Sequence, residues 1–117
     1  MVKPVVLVVD DEPSIRLLCK VNLELAGYEV REAGTLEEAR SAVAAEDIAV
    51  VLLDMHVGNE RSESLLAELR GRGLAVAVVT GSADLGPLRD AADAVLGKPF
   101  TITDLESVVA ELTSRAR

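Results

Sequence analysis

The sequence predicts one α/β domain: a doubly wound parallel sheet of five strands with helices on both faces. Three observations carry this. Apolar and amphipathic segments alternate from end to end, giving a strand–helix pair five times. The runs Val5-Val6-Leu7-Val8-Val9 and Ala49-Val50-Val51-Leu52-Leu53 are unbroken, as strands buried on both faces require. The chain has 117 residues, enough for one domain spanning positions 1–117, with no repeat or linker to suggest a second.

The elements follow in order. After the first strand, Pro13 stands where a first helical turn tolerates proline, and Gly27 ends the helix that runs to about Ala26. At 100° per residue, Ile15, Leu18, Cys19, Leu23 and Ala26 form its inward stripe. Leu17, Val21 and Leu25 form a second stripe, and Arg16, Lys20 and Glu24 take the remaining face. Positions 28–32 alternate like a half-exposed strand. Thr35 and Glu38 make a capping box for a second helix with Leu36, Ala39 and Val43 inward. The second apolar run ends at Asp54, and a loop with Gly58 and Asn59 follows. Ser62 is placed to cap a third helix carrying Leu65, Leu66 and Leu69 inward, which ends near Gly71 and Gly73. Ala75 to Val79 is the fourth strand, closed by Thr80-Gly81. Positions 87–92 have room for no more than about two helical turns. Ala94 to Leu96 is the last strand, closed by Gly97-Lys98-Pro99. Thr101 or Thr103 caps a final helix with Ile102, Leu105, Val108, Val109 and Leu112 inward.

Composition excludes several classes. Twelve basic and 20 acidic residues give a net charge of −8, so phosphate backbones are repelled and direct nucleic-acid binding is not expected. Tyr28 and Phe100 are the only aromatic residues, too few for base stacking. Cys19 is alone, so no intrachain disulfide forms and a reducing, cytoplasmic setting fits. The first apolar run meets Asp10-Asp11-Glu12 at once and is too short for a membrane span or a signal peptide.

In open α/β sheets, chemistry sits beyond the carboxyl ends of the strands. That edge receives Asp10, Asp11 and Glu12 from the first strand and Asp54 from the third. Thr80 comes from the fourth and Lys98 from the fifth. Crowded carboxylates repel unless a cation intervenes. An all-oxygen set with room for water suits Mg²⁺ better than Zn²⁺. Asp54 can act as a carboxylate nucleophile. If the electrophile is a phosphoryl group, Lys98 and the metal neutralise its oxygens, and the Thr80 hydroxyl hydrogen-bonds one of them. Singly, each residue has a plainer reading: a turn aspartate, a capping threonine, a solvated lysine. The joint occurrence at four strand ends outweighs those readings, whereas the His56 side chain keeps its plain one, an exposed loop residue.

Val8-Val9-Asp10-Asp11-Glu12, Leu52-Leu53-Asp54-Met55, Val79-Thr80-Gly81 and Lys98-Pro99-Phe100 together resemble the receiver domain of two-component response regulators. The resemblance covers positions 4–112 and implies a flavodoxin-like (βα)5 fold with strand order 2-1-3-4-5. It implies that Asp54 accepts a phosphoryl group from a phosphohistidine on a sensor histidine kinase or histidine phosphotransfer protein. Asp11 would ligate Mg²⁺ directly, Asp10 largely through water, Asp54 as the third carboxylate, and His56 through its main-chain carbonyl. Thr80 and Lys98 would bind the phosphoryl group, and the Lys98-Pro99 bond would be cis. The implied partners are the phosphodonor and a downstream protein target or output domain, with no direct nucleic acid and no membrane. The implied chemistry is the domain's own phosphorylation and slow dephosphorylation, not turnover of a separate substrate.

The sequence also departs from that family. Gly58 stands where Pro is usual, which predicts a looser loop. Ser62 replaces a usual Gly, and Val95 replaces the Tyr or Phe whose ring reports activation. The interval from Thr80 to Lys98 is short, and the missing residues fall in helix 4, which is expected to be shortened and of low stability. No output segment follows the last helix within these residues, so the expectation is a lone receiver, free-standing or part of a larger protein. An aspartyl phosphatase would need a second Asp where His56 stands. Nucleotide binding would need a glycine-rich loop after the first strand. A degenerate receiver, a phosphorylation-independent interaction module, would have lost the acidic pair, Asp54 or Lys98. The second apolar stripe of helix 1 either packs under its neighbours or docks a helical phosphotransfer partner.

Overall fold

A computed structural model describes residues 2–81 and 88–115. β1 (Val5–Val9) leads to α1 (Pro13–Leu25), β2 (Glu29–Ala33), α2 (Leu36–Ala45) and β3 (Val50–Asp54). A short ribbon, β4 (His56–Val57) and β5 (Glu60–Arg61), precedes α3 (Glu63–Gly71) and β6 (Ala75–Thr80). α4 (Leu88–Ala91), β7 (Ala94–Gly97) and α5 (Ile102–Arg115) complete the chain. The main sheet has the order β2-β1-β3-β6-β7, and every pairing in it is parallel. Counted over its five strands this is the expected order 2-1-3-4-5.

The period-2 alternation of a strand sends successive side chains to opposite faces, and each face has its own core. Leu7, Val9, Val51, Leu53, Val76 and Val78 meet Leu36, Ala39, Val43, Leu65, Leu66 and Leu69 of α2 and α3. On the other face Val6, Val8, Val50, Leu52, Ala77 and Val79 meet Cys19 and Leu23 of α1 and Leu105, Val109 and Leu112 of α5. Both faces covered is what an all-parallel sheet needs. The radius of gyration is 12.7 Å. No described helix is long and apolar enough to cross a membrane.

The ends of the helices are set locally. Thr35 Oγ1 accepts from the Glu38 N–H at 3.0 Å, and the Glu38 carboxylate reaches back to the Gly34 N–H at 2.7 Å. Thr101 is the cap of α5: its Oγ1 accepts from the Asp104 N–H at 3.0 Å, and the Asp104 carboxylate accepts from the Thr101 N–H. Gly27 follows the last residues of α1 at φ +102°, a conformation that favours glycine.

Two expectations are corrected, for the inward row of α1 and for the cap of α3. Leu18 is 40 % exposed and Ala26 is also exposed, because the inward row of α1 narrows to Ile15, Cys19 and Leu23, spaced one helical turn apart. On the remaining face of α1, Arg16 and Lys20 both turn toward Glu32 of β2. Ser62 makes no side-chain cap on α3. The loop with Gly58 forms the β4–β5 ribbon, with Val57 opposite Glu60 and His56 opposite Arg61. Gly58 adopts φ +63°, which proline cannot, as the first position of a two-residue hairpin turn.

α4 is a single turn among the described residues, in keeping with the shortened fourth helix. The stretch 82–87, which includes the expected start of this helix at position 87, lies outside the described residues.

Candidate functional site

The strand order reverses between β1 and β3, and the acidic residues come from the carboxyl ends of those two strands. Asp10 follows β1 and is 2 % exposed. Its Oδ1 accepts from the Glu12 N–H at 2.9 Å, and its Oδ2 lies 3.2 Å from Lys98 Nζ. Asp11 is exposed beside it. Asp54 ends β3, 9 % exposed, with Oδ2 3.1 Å from the same Lys98 Nζ. One oxygen from each of Asp10, Asp11 and Asp54 can be chosen so that all three lie within 4.8 Å of one another.

Thr80 closes β6 and is buried; its carbonyl accepts from the Lys98 N–H at 2.8 Å. That bond carries the end of β7 to the end of β6 and points Lys98 into the acidic cluster. The Lys98-Pro99 peptide is cis. His56 opens β4 with its side chain exposed, and its N–H faces Asp54 Oδ1 at 3.5 Å. The fold thus brings Asp10, Asp11, Asp54 and Lys98 into one cluster, with Thr80 and the His56 main chain at its border.

The electrostatics are those of a carboxylate pair sharing one ammonium. Burial pushes the Asp54 carboxyl up, the Lys98 hydrogen bond pulls it back, and the charge of Asp10 raises it again, leaving it above the usual carboxylate range. Burial pushes Lys98 down, but the hydrogen bond to Asp54 and the charges of Asp10 and Asp54 outweigh it, so the ammonium is held more firmly than usual. Cys19, buried beneath Asp10, is pushed up to about 11 by burial and then by that carboxylate. An all-oxygen, net-negative cluster open on the Asp11 side fits a hard divalent cation.

Two contributors were not legible in the sequence as such. Arg16, expected on an outer face, donates from Nη1 to the Asp10 main-chain carbonyl at 2.6 Å and from Nε to Glu32 at 3.2 Å. A Cβ at Gly34 would come within 3.1 Å of that guanidinium, so glycine gives it room. No periodicity marks this role, because Arg16 acts through a backbone oxygen. The second is Ser62, whose hydroxyl donates to the Asp54 carbonyl at 2.5 Å. Its signal was the departure from glycine.

Beside the cluster, Ile15, Leu18, Lys98, Pro99 and Phe100 line an open concavity of about 350 Å³. Leu17 (59 % exposed), Val21 (47 %) and Leu25 (82 %) continue an apolar surface along α1.

These features define a small α/β module with acidic groups and a lysine gathered at its topological switch point. A family model for the response regulator receiver domain matches residues 6–110, and the chain belongs to that family. It is 34 % identical over 124 aligned residues to the transcriptional regulatory protein AruR of Pseudomonas aeruginosa, covering 97 % of this chain and 51 % of that protein. It is 38 % identical over 100 residues to the transcriptional regulatory protein KdpE of Mycobacterium tuberculosis, covering 81 % of this chain and 44 % of that one. The chain therefore spans about half the length of these relatives. Among solved structures, a CheY-like response regulator receiver domain protein from Methanospirillum hungatei JF-1 superposes with a TM-score of 0.90 at 29 % identity, covering 98 % of this chain and 97 % of that one. A Francisella response regulator receiver domain gives 0.87 at 26 % identity, covering 98 % and 100 %.

Proposed function

We propose that this receiver takes a phosphoryl group from a phosphohistidine onto Asp54 and changes its protein contacts in response. The observation that carries this reading is Lys98 Nζ within 3.2 Å of both Asp10 Oδ2 and Asp54 Oδ2 at the mouth of the acidic cluster. An Asp54 carboxylate oxygen attacks phosphorus, the P–N bond breaks, and its electron pair leaves with the imidazole of the donor. Lys98, already pointed at Asp54, meets the charge on the transferred phosphoryl oxygens. The Thr80 hydroxyl, carried at the end of β6, is the neutral donor. Hydrolysis of the acyl phosphate by water returns the carboxylate and inorganic phosphate. The domain therefore performs its own modification and its slow reversal, without turning over a separate substrate.

Asp10, Asp11, Asp54 and the His56 carbonyl would hold Mg²⁺, which when bound supplies positive charge against the phosphoryl oxygens. Both carboxylate oxygens of Asp10 are engaged by protein, one by Glu12 and one by Lys98, whereas Asp11 is exposed. That asymmetry supports Asp11 as the direct ligand and Asp10 as a contributor through water.

The phosphodonor, a sensor histidine kinase or a histidine phosphotransfer protein, would lay an apolar helix face against Leu17, Leu18 and Val21 and the adjoining concavity. Downstream lies a protein target or an output domain. The net charge of −8 disfavours direct DNA contact by these residues. The setting is the cytoplasm, and the 117 residues act as one receiver unit. The alternative, a degenerate module working without phosphorylation, is disfavoured by the intact acidic pair, Asp54 and Lys98. Titration with beryllofluoride and Mg²⁺ followed by amide NMR tests the reading. Shifts centred on residues 54–56, 80 and 98 that need both reagents are expected. A spectrum unchanged by both contradicts it.

A further inference from the structure

Ser62 lies eight residues after Asp54 and is completely buried. Its hydroxyl donates to the Asp54 main-chain carbonyl at 2.5 Å. Its N–H donates to the Met55 carbonyl at 2.9 Å, and its own carbonyl accepts from the Leu66 N–H at 2.9 Å, within the first turn of α3. One residue thus ties the end of β3 to the start of α3 across the hairpin.

The Asp54 carbonyl has particular need of that donor. The pairing of β1 with β3 ends at Val9 and Leu53, one residue short of Asp54. The Met55 N–H is spent on the Val79 carbonyl of β6, so the Asp54 carbonyl on the same peptide points the other way, toward the side where β1 has left the sheet. A buried carbonyl without a donor is costly, and at zero exposure of Ser62 bulk water does not reach it.

We infer that Ser62 is a positioning residue for the acceptor carboxylate, its hydroxyl fixing the peptide plane between Asp54 and Met55. This rests on Asp54 being the phosphoacceptor. The plane of that peptide sets the direction in which the Asp54 side chain leaves the backbone. Two residues on, it sets where the His56 carbonyl stands. The loop is held on its other side as well: Met55 (4 % exposed) and Val57 (2 %) anchor it in the core, and β4 and β5 close it as a ribbon. With Gly58 in place of proline, ring rigidity no longer limits the loop, and the Ser62 hydroxyl bond replaces that constraint. Glycine at this position would supply no such bond.

Ser62→Ala removes the hydroxyl at nearly constant volume, and Ser62→Gly removes it while leaving space for one water. Circular dichroism establishes folding. Amide NMR titration gives the Mg²⁺ dissociation constant, and mass spectrometry gives the labelling rate by acetyl phosphate. Loss of a group that orients ligands from behind typically costs about 10-fold or more, so Ser62→Ala should weaken Mg²⁺ binding and slow labelling by about that factor. Ser62→Gly should lie between Ser62→Ala and the parent. A merely structural role lowers the melting temperature but leaves the Mg²⁺ constant unmoved. A folded Ser62→Ala variant that keeps both quantities within about twofold of the parent overturns the inference, being well short of the expected loss. If Ser62→Ala does not fold, Ser62→Gly is judged by the same twofold criterion. Labelling of the parent at Asp54, absent in Asp54→Asn, is read first. Its failure would tell against Asp54 as acceptor, whereas parent labelling with unaffected Ser62 variants tells against Ser62 alone.

Discussion

Replacing Lys98 by alanine should destabilise the metal-free protein through the two carboxylates it now serves. Its Nζ lies 3.2 Å from Asp10 Oδ2 and 3.1 Å from Asp54 Oδ2, with side-chain exposures of 3 % and 12 % for the acids and 23 % for the lysine. At an effective dielectric near 20, each contact carries about 5 kcal/mol of Coulomb energy, most of which desolvation offsets. Breaking a buried pair costs about 3–5 kcal/mol and an exposed one about 0–1. A lysine about one-quarter exposed falls between, at about 2 kcal/mol. For a domain of this size that is a fall of about 6–10 °C in melting temperature. The pH dependence has a fixed sign. Pairing raises the folded-state pKa of Lys98, so its contribution is complete below the ordinary lysine range and is lost as pH rises through the raised value. On the acid side, protonating Asp54, whose carboxyl is held above the usual range, removes one of the charges that need the ammonium, so the gap between parent and Lys98→Ala narrows as pH falls through that raised value. The assay is thermal unfolding by circular dichroism in chelator, on the parent, Lys98→Ala, Asp54→Asn and the double variant. Lys98→Ala should cost less in the Asp54→Asn background, because one of its two partners is already neutral. An unchanged melting temperature, or strict additivity of the two substitutions, would refute the reasoning.

Two further outcomes follow from the same geometry. Leu17→Glu with Val21→Glu, at positions 59 % and 47 % exposed, should leave the fold and acetyl-phosphate labelling intact while cutting transfer from a phosphohistidine donor by about 10-fold or more, as expected when charge enters an apolar contact; equal loss with both donors would assign these residues to folding instead. Cys19 should react with iodoacetamide far more slowly in the native protein at pH 8 than in urea. Because burial holds its thiol at about 11 rather than 9.0, the native state keeps the proton longer. Its contribution to stability is therefore present below pH 9 and lost as pH rises toward about 11. Comparison with Cys19→Ala by denaturant unfolding should show a steeper fall over that range in the parent, and matching slopes would refute it.

Much of this arrangement was legible because parallel strands give strong signals. The unbroken runs before Asp10 and Asp54 could only be strands covered on both faces, and the rule of carboxyl ends then placed the acids, Thr80 and Lys98 together. What escaped detection depends on main-chain oxygens. Arg16 looked like surface because its helical phase points away from the core row of Ile15, Cys19 and Leu23, yet it curls back to the Asp10 carbonyl. Ser62 looked like a helix cap because Ser before a helix usually is one. Its hydroxyl turned inward instead, to the Asp54 carbonyl, in a bond that is itself buried. Gly58 read only as looseness, whereas its absent side chain also permits the positive φ on which the turn is built. Leu18 fell at the border of the helical stripe, where a small rotation decides between core and solvent.

The most direct test of the central claim is intact-mass and peptide mass spectrometry after incubation with acetyl phosphate, with and without Mg²⁺, on the parent and on Asp54→Asn. The parent should gain the mass of one phosphoryl group, mapped to Asp54 and dependent on Mg²⁺. Asp54→Asn, folded to the same degree, should gain none. A parent that stays unlabelled with Mg²⁺ present, or an Asp54→Asn variant labelled to the same extent, would contradict the account.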